Sequence, residues 1–229
     1  RALPIDVPKL REFVDAIPGR VDEYESLLTH NAIWLGRTQG VGSLTAEQAT
    51  SHGMTGPSLR ATGVEYDVRK ARPYSGYENY DFDIPIGENG DVYDRIVVRL
   101  EEMYQSMRII RQALDRLPTG PIQSEDRRVA MPPKDEVYNS IEGMMNHFKL
   151  VFDGIQVPAG EGYGFTEGAN GELGFYIVSD GGGHPYRIKV RPPCFPIFSS
   201  FNSMIQGQMV ADAVATLGGL NIIAGELDR

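Results

Sequence analysis

Apolar residues recur every three or four positions over long stretches of this 229-residue chain, which is the period of an amphipathic helix. The strongest such pattern covers residues 92–117, where Asp91 can cap the start and Pro118 stops the helix. A helix of this length spans roughly 40 Å at 1.5 Å per residue. That length is typical of a bundle helix, so we expect a helical core.

Three further segments show the same period. Between residues 6 and 35 the pattern predicts two consecutive helices, or one bent helix, because Pro18-Gly19 interrupts it. A helix is expected at about 135–152, with methionines among its apolar residues that fill the core. The last predicted helix, 198–217, carries small residues that permit close packing and ends at Gly218-Gly219.

Residues 36–90 are rich in Gly, Pro, Tyr and Asp, and the one helical signal there is a short segment that Thr45 can cap. A long irregular segment is expected to be functional or to pack against another element. It contains a charged cluster that we interpret as local ion pairs holding a loop: Asp67, Arg69, Lys70 and Arg72.

After Gly154 the pattern changes to the period of two that is typical of strands. Segments 173–179 and 186–191, joined by the glycines of 180–183, predict a β-hairpin. A glycine run can also hold a phosphate, but no helix N-terminus follows this one. The glycines of 160–164 lack the strand and helix that frame a nucleotide loop. The predicted fold is therefore mainly α with a small β part (α+β).

The C-terminal segment alternates apolar residues with charges, which is unusual for a chain end. Exposing Leu220, Ile222, Ile223 and Leu227 to water would be unfavourable, so we expect residues 220–229 to be buried. Buried carboxylates need partners or protons, so the tail is a candidate for proton chemistry. The predicted organisation is a helical core at about 1–153 and 198–217, a β-hairpin region at about 155–191, and this tail.

Composition excludes several classes of function. The formal charge of −9 and the absence of clustered basic residues argue against nucleic acid as a partner. Cys194 is the only cysteine and is expected to be a small buried hydrophobe, and the four histidines lack a metal-binding spacing. No complete catalytic arrangement is apparent, and because residue 1 is Arg we expect a fragment of a longer protein.

Eight separated strings stand out, in order along the chain: Leu44-Thr-Ala-Glu-Gln-Ala49, Thr55-Gly-Pro-Ser-Leu-Arg-Ala-Thr-Gly63, Arg72-Pro-Tyr-Ser-Gly-Tyr77, Gly90-Asp-Val-Tyr-Asp-Arg95, Val98-Arg-Leu-Glu-Glu-Met103, Tyr176-Ile-Val-Ser-Asp-Gly-Gly-Gly183, Pro185-Tyr-Arg-Ile-Lys-Val-Arg191 and Gly225-Glu-Leu-Asp-Arg229. Together they resemble the D (49-kDa) subunit family of NADH:quinone oxidoreductase, respiratory complex I. The resemblance is to the C-terminal part of that subunit.

This resemblance implies a fold related to the large subunit of nickel-iron hydrogenases and a role in a proton-translocating enzyme complex, as one subunit of it. In the family the subunit helps to form the quinone-reduction chamber, and its tail lies close to that chamber. Carried over, the tail residues concerned are Gly225, Glu226, Asp228 and Arg229. A fixed arginine there stabilises added negative charge, and a carboxylate can hold a proton. Asn221 and Gln208 stand where many relatives have Asp and His, so proton-relay roles are not transferred to them.

The resemblance also implies partners and a location. The chain itself is expected to bind no cofactor, since NADH, FMN and the iron-sulfur clusters belong to partner subunits and quinone is the substrate of the complex. Expected neighbours are the terminal iron-sulfur cluster subunit, the C (30-kDa) subunit and the membrane-arm H subunit. The location would be peripheral, on the cytoplasmic side of the bacterial inner membrane or the matrix side in mitochondria.

Two alternatives come from other classes. A true hydrogenase large subunit would place two cysteine ligands of its metal centre near the C-terminus, but residues 195–229 contain no cysteine. A non-catalytic scaffold of another membrane-bound redox complex would keep the fold without the reaction. We favour the quinone-reducing complex.

Overall fold

The computed structural model describes residues 6–121 and 123–228. They form two compact units. The larger unit comprises residues 6–116, 165–174 and 191–228. The smaller unit comprises residues 117–121, 123–164 and 175–190. The helix predicted at 135–152 therefore belongs to the smaller unit, together with residues 175–190, and not to the unit that contains the other predicted helices.

Two long helices lie side by side in the larger unit: α1 (Val7–Leu28) and α6 (Val92–Asp115). The prediction for α6 is confirmed, including the cap: the Asp91 carboxylate accepts a hydrogen bond from the Asp94 N–H at 2.8 Å. α1 continues through Pro18, so the predicted alternative of two helices that separate there is wrong, and one helix is present. Val14 and Val21, on either side of Pro18, are buried, and this packing outweighs the hydrogen bond that a proline cannot donate.

The segment predicted to be irregular contains more helix than expected. Thr45 forms a capping box with Gln48 at the start of the one predicted helix, which confirms that signal. The other short helices there are too brief to show a periodic pattern. In chain order the elements between α1 and α6 are α2 (Ala32–Thr38), which begins in the segment predicted to be helical, α3 (Ala46–Ser51), α4 (Pro57–Arg60), α5 (Val68–Ala71) and a 3₁₀ turn (Tyr77–Asn79).

The single helix predicted at 198–217 is instead three helices: α9 (Cys194–Ser199), α10 (Phe201–Ile205) and α11 (Val210–Leu220). The chain turns at Gly207, whose φ of +77° favours glycine. The glycines expected to end α11 lie inside it. A Cβ at Gly219 would come within 2.9 Å of the Val92 side chain on α6, so glycine is needed there for close packing.

A hydrophobic cluster joins these helices. Its buried members come from α3, α4, α9, α10 and α11 and their flanking residues: Leu44, Ala49, Met54, Leu59, Ile197, Met204 and Leu220. Ile222, from the C-terminal segment, packs against the same cluster while partly buried. The start of the tail is therefore part of the core of the larger unit.

A three-stranded antiparallel sheet contains β1 (Gly160–Gly168), β2 (Gly171–Ser179) and β3 (Arg187–Arg191), in that order. The predicted hairpin of β2 and β3 is confirmed, but β1 was missed because glycines obscure its period of two. The turn between β1 and β2 belongs to the larger unit.

The smaller unit contains α7 (Lys134–Asn139) and α8 (Ile141–Phe152), which were predicted as one helix. They separate at Ser140, which is extended and whose hydroxyl accepts a hydrogen bond from the Gly143 N–H at 2.9 Å. The expected core role of the α8 methionines is not seen within this chain, since Met144 and Met145 are about half exposed. In the described ranges, no helix has the length and apolar character needed to cross a membrane.

Candidate functional site

The C-terminal tail begins where α11 ends, and a half-buried arginine fixes that point. The Arg99 guanidinium, from α6, donates hydrogen bonds to the carbonyl oxygens of Gly219 at 2.8 Å and Leu220 at 3.3 Å. These are terminal carbonyls of a helix that need partners outside it, and a cation is favoured at this end. Asn221 follows in the left-handed conformation, with φ of +54°, and forms the C-cap. The tail therefore leaves the core from a fixed position and direction.

The next contacts hold the tail against Cys194 at the start of α9. The Cys194 sulfur accepts hydrogen bonds from the Ile223 N–H at 3.4 Å and from the Asn170 amide at 3.3 Å. The Cys194 N–H donates to the Glu226 carboxylate at 3.1 Å. Burial raises the pKa of the Cys194 thiol, and the Glu226 carboxylate raises it further. Cys194 is buried, as predicted, and it also positions the tail.

The tail is only partly buried within this chain, so the expected burial of all of 220–229 is not seen here. Leu220 is fully buried and Glu226 is half-buried, whereas Gly225 and Asp228 are exposed. The short 3₁₀ turn Ala224–Glu226 directs the Glu226 side chain back to Cys194.

Arg229 lies outside the described residues, so its predicted role stays a prediction. Gln208, expected within the last helix, lies instead in the connection between α10 and α11. The Asn221 side chain pairs with Asn170, whose position in the β1–β2 turn was not linked to the tail by any pattern in the sequence.

A second polar group lies in the same unit, around the fully buried Arg60 of α4. Its guanidinium donates to Glu102 on α6, with the Nε–Oε1 distance 2.8 Å, and to Glu167 on β1 at 3.0 Å. It also donates to the Tyr66 carbonyl oxygen at 2.9 Å. Arg60 is 1% exposed and Glu167 4%, so the pair is shielded from water. Glu102 and Glu167 lie 42 and 107 residues from Arg60 in sequence, and spacing gave no signal of their proximity.

Two of the three acids beside Arg60, Glu167 and Asp67, respond differently to burial. Burial raises the pKa of Glu167 above its usual value, and the nearby Asp67 carboxylate adds to this, while Arg60 opposes it. Burial would also raise the pKa of Asp67, but hydrogen bonds and charge from Arg69, with the charge of Arg60, lower it overall. Asp67 is therefore held as a carboxylate, and Glu167 is the more readily protonated acid.

The interpretation of residues 67–72 as a loop held by local ion pairs is confirmed for Asp67 and Arg69. The Arg69 guanidinium lies 2.6 Å from the Asp67 carboxylate, which also caps α5 through the Arg69 N–H at 2.8 Å. Lys70 lies over the Phe82 ring, and Arg72 lies over Phe165. Through Arg72, this loop contacts the part of β1 that belongs to the larger unit and carries Glu167.

Near Arg60, a pocket of about 530 Å³ opens within the larger unit. Its polar lining includes Arg60, Arg99 and Glu167, and its apolar lining includes Phe13 and Met103. Asn221 also lines it, so the pocket extends to the base of the tail. Among the described residues, no group of three or more His, Cys, Asp or Glu side chains could hold a metal ion.

Comparison with known proteins gives a match along nearly the whole chain. The family described as "Respiratory-chain NADH dehydrogenase, 49 Kd subunit" matches residues 4–229. The D subunit of NADH-quinone oxidoreductase from Myxococcus xanthus is 54% identical over 223 residues, which is 97% of this chain and 54% of that protein. The D subunit from Geotalea uraniireducens is 50% identical over 229 residues, 98% of this chain and 59% of that protein.

A third relative is a longer protein. The Bdellovibrio bacteriovorus protein, named as the C/D subunit of NADH-quinone oxidoreductase, is 53% identical over 208 residues, or 91% of this chain and 37% of that protein. The chain thus spans 54% and 59% of the length of the two D-subunit relatives.

Proposed function

Since the chain belongs to the family of the 49-kDa subunit of respiratory-chain NADH dehydrogenase, we propose that it works as part of a proton-translocating NADH:quinone oxidoreductase. The observation that carries the proposal is the match over residues 4–229, with about half of the positions identical in the relatives named as D subunits. This chain would form part of the wall of the chamber in which quinone is reduced.

The tail is the part that we assign to this chamber. It is anchored at Arg99 and Cys194, but Asp228 is exposed, so another surface can complete a site around it. A preorganised polar segment stabilises charge that develops during a reaction without having to rearrange. Glu226 is fixed by the Cys194 N–H, whereas Asp228 is exposed and can be reached by a partner surface. Arg229 would stabilise the added negative charge.

We further propose that the chain binds no cofactor of its own and that NADH, FMN and the iron-sulfur clusters are bound by partner subunits. The terminal iron-sulfur cluster subunit would face the tail, and the C and H subunits would be neighbours. The relative named as a C/D subunit supports proximity to the C subunit, because one protein carries both names. The location would be peripheral, on the cytoplasmic or matrix side of the membrane, and the fold would be related to hydrogenase large subunits.

The test is to substitute Arg229→Ala in the full-length protein within native membranes. NADH-dependent quinone reduction should fall about tenfold or more, as for loss of a charge-stabilising group, while NADH oxidation by an artificial acceptor is unchanged. Arg187→Ala, an exposed arginine on β3, is the control. Equal loss of both activities would indicate failed assembly, and unchanged quinone reduction would refute the assignment of the tail.

A pull-down of the tagged protein from solubilised membranes tests the wider proposal. We expect flavin-containing and iron-sulfur partners together with quinone reductase activity. Recovery of a hydrogenase-type partner, or of a complex without quinone reductase activity, would instead favour the hydrogenase-like or scaffold alternative.

A further inference from the structure

The turn between β1 and β2 contains a buried amide that contacts the base of the tail. Asn170 is 2% exposed, and its amide nitrogen donates to the Asn221 carbonyl oxygen at 2.9 Å and to the Cys194 sulfur at 3.3 Å. Its amide oxygen accepts from the Asn221 side chain at 3.0 Å. One side chain therefore joins the sheet turn, the end of α11 and the start of α9.

The turn that carries Asn170 is itself held rigidly. Gly171 packs so closely on Thr55 and Gly56 that a Cβ at Gly171 would come within 2.5 Å of the Thr55 hydroxyl. That hydroxyl accepts hydrogen bonds from the Glu172 N–H at 3.0 Å and from Arg191 at 3.1 Å. Asn170 is therefore a fixed point on the scaffold, and the tail is fastened to it.

The remaining contacts extend this fastening along the tail. Cys194, which Asn170 contacts, accepts from the Ile223 N–H and donates through its own N–H to Glu226. We name Asn170, Cys194, Asn221 and Glu226 the tail anchor. Beyond it lies Asp228, which the anchor leaves exposed.

We propose that Asn170 is a positioning residue for quinone reduction, acting through Asn221 and Cys194 to fix the path of the tail. The inference rests on the proposed function, because it takes the tail to form part of the quinone chamber. Asn170 contacts no reacting group in this mechanism. Asn170 acts by restricting the conformations of the tail residues that would face the quinone, and such preorganisation lowers the barrier to reaction.

The experiment compares three variants in the assembled complex, each removing a different number of anchor hydrogen bonds. Asn170→Ala removes three, and Asn221→Gly removes one while keeping the left-handed conformation that glycine accepts. Thr55→Ala loosens the same turn but removes no hydrogen bond to the tail. The readouts are hydrogen exchange of the amides of 221–228, the quinone KM and kcat, and NADH oxidation by an artificial acceptor.

We expect Asn170→Ala to speed tail exchange roughly tenfold and Asn221→Gly roughly threefold, with little change for Thr55→Ala. The quinone KM should rise in the same order, with artificial-acceptor activity unchanged. Unchanged tail exchange in both anchor variants would overturn the anchoring role. Faster exchange with unchanged quinone kinetics would overturn the positioning role and argue against placing the tail at the chamber. If the wild-type complex does not reduce quinone, the proposed function is refuted. The hydrogen-exchange measurement would then still test whether Asn170 anchors the tail.

Discussion

At the scale of single residues, Arg60 shows how a buried charge is accommodated. Its guanidinium reaches Glu102, Glu167 and the Tyr66 carbonyl oxygen while being 1% exposed. A buried charge without such partners would be strongly destabilising. Arg95 shows the effect of burial on a cation. It donates to the carbonyl oxygens of Gly42 and Gly90, but burial still disfavours its charged form and lowers its pKa to about 10.

Arg60→Met should lower the free energy of unfolding by about 3–5 kcal/mol, because Glu102 and Glu167 would lose the cation to which they are hydrogen-bonded. The matched control is Arg108→Met, which breaks ion pairs with Asp81 and Asp83 at an exposed site and should cost less than about 1 kcal/mol. Urea denaturation of the two variants measures the difference. Equal costs would show that the buried cluster adds no more than a surface ion pair.

The lowered pKa of Asp67 predicts a pH dependence of stability. A carboxyl group with a lower pKa in the folded state stabilises the fold above its unfolded pKa, about 3.9. That contribution is lost as the pH falls through the lower folded pKa. The stability difference between the wild type and Asp67→Asn should therefore be full at pH 6–7 and shrink below about pH 4. Denaturation at a series of pH values measures it, and a difference that grows on acidification would contradict the assignment.

Among the elements, local signals predicted helix α6 well and α1 poorly. The Asp91 cap and the apolar period of α6 depend on neighbours in sequence, so they can be recognised without the fold. Pro18 is also a local signal, but packing of α1 along α6 outweighs it. Ser140 shows the opposite case, since it divides one apolar period into two helices by capping the second.

Contact between α4 and the β1–β2 turn depends on two glycines. A Cβ on Gly56 would lie 2.4 Å from the Gly171 Cα. Gly56→Ala should therefore lower the free energy of unfolding by about 3 kcal/mol or more, through backbone strain together with a steric clash. Gly53→Ala is matched in φ but meets open space, so about 1 kcal/mol is expected. Thermal unfolding of both variants provides the test, and similar losses would mean that the close approach contributes nothing.

At the scale of the whole molecule, the two units differ in how many of their side chains are buried. The larger unit contains the buried apolar cluster and the Arg60 group, whereas in the described part of the smaller unit only Gly143 is classed as buried. Large apolar side chains of α8, such as Phe148 and Phe152, are more than half exposed. A unit with few buried contacts opens more often.

Amide exchange should reflect this difference. In the isolated chain we expect amides of α8 to exchange at least roughly tenfold faster than those in the middle of α6. Mass spectrometry of exchange in peptides from the two helices measures the ratio. Equal protection in both helices would show that the smaller unit is as stable as the larger one.

The sequence by itself determined the mainly helical class, the long α6 with its Asp91 cap, and the β2–β3 hairpin, because periodicity, caps and turns arise between residues close in the chain. It also indicated that the charged and apolar tail was unusual. Only the tertiary structure brought Glu167 to Arg60 and Asn170 to the base of the tail, across separations of 107 and 51 residues. Such contacts depend on how distant elements pack, and spacing along one chain carries no information about them.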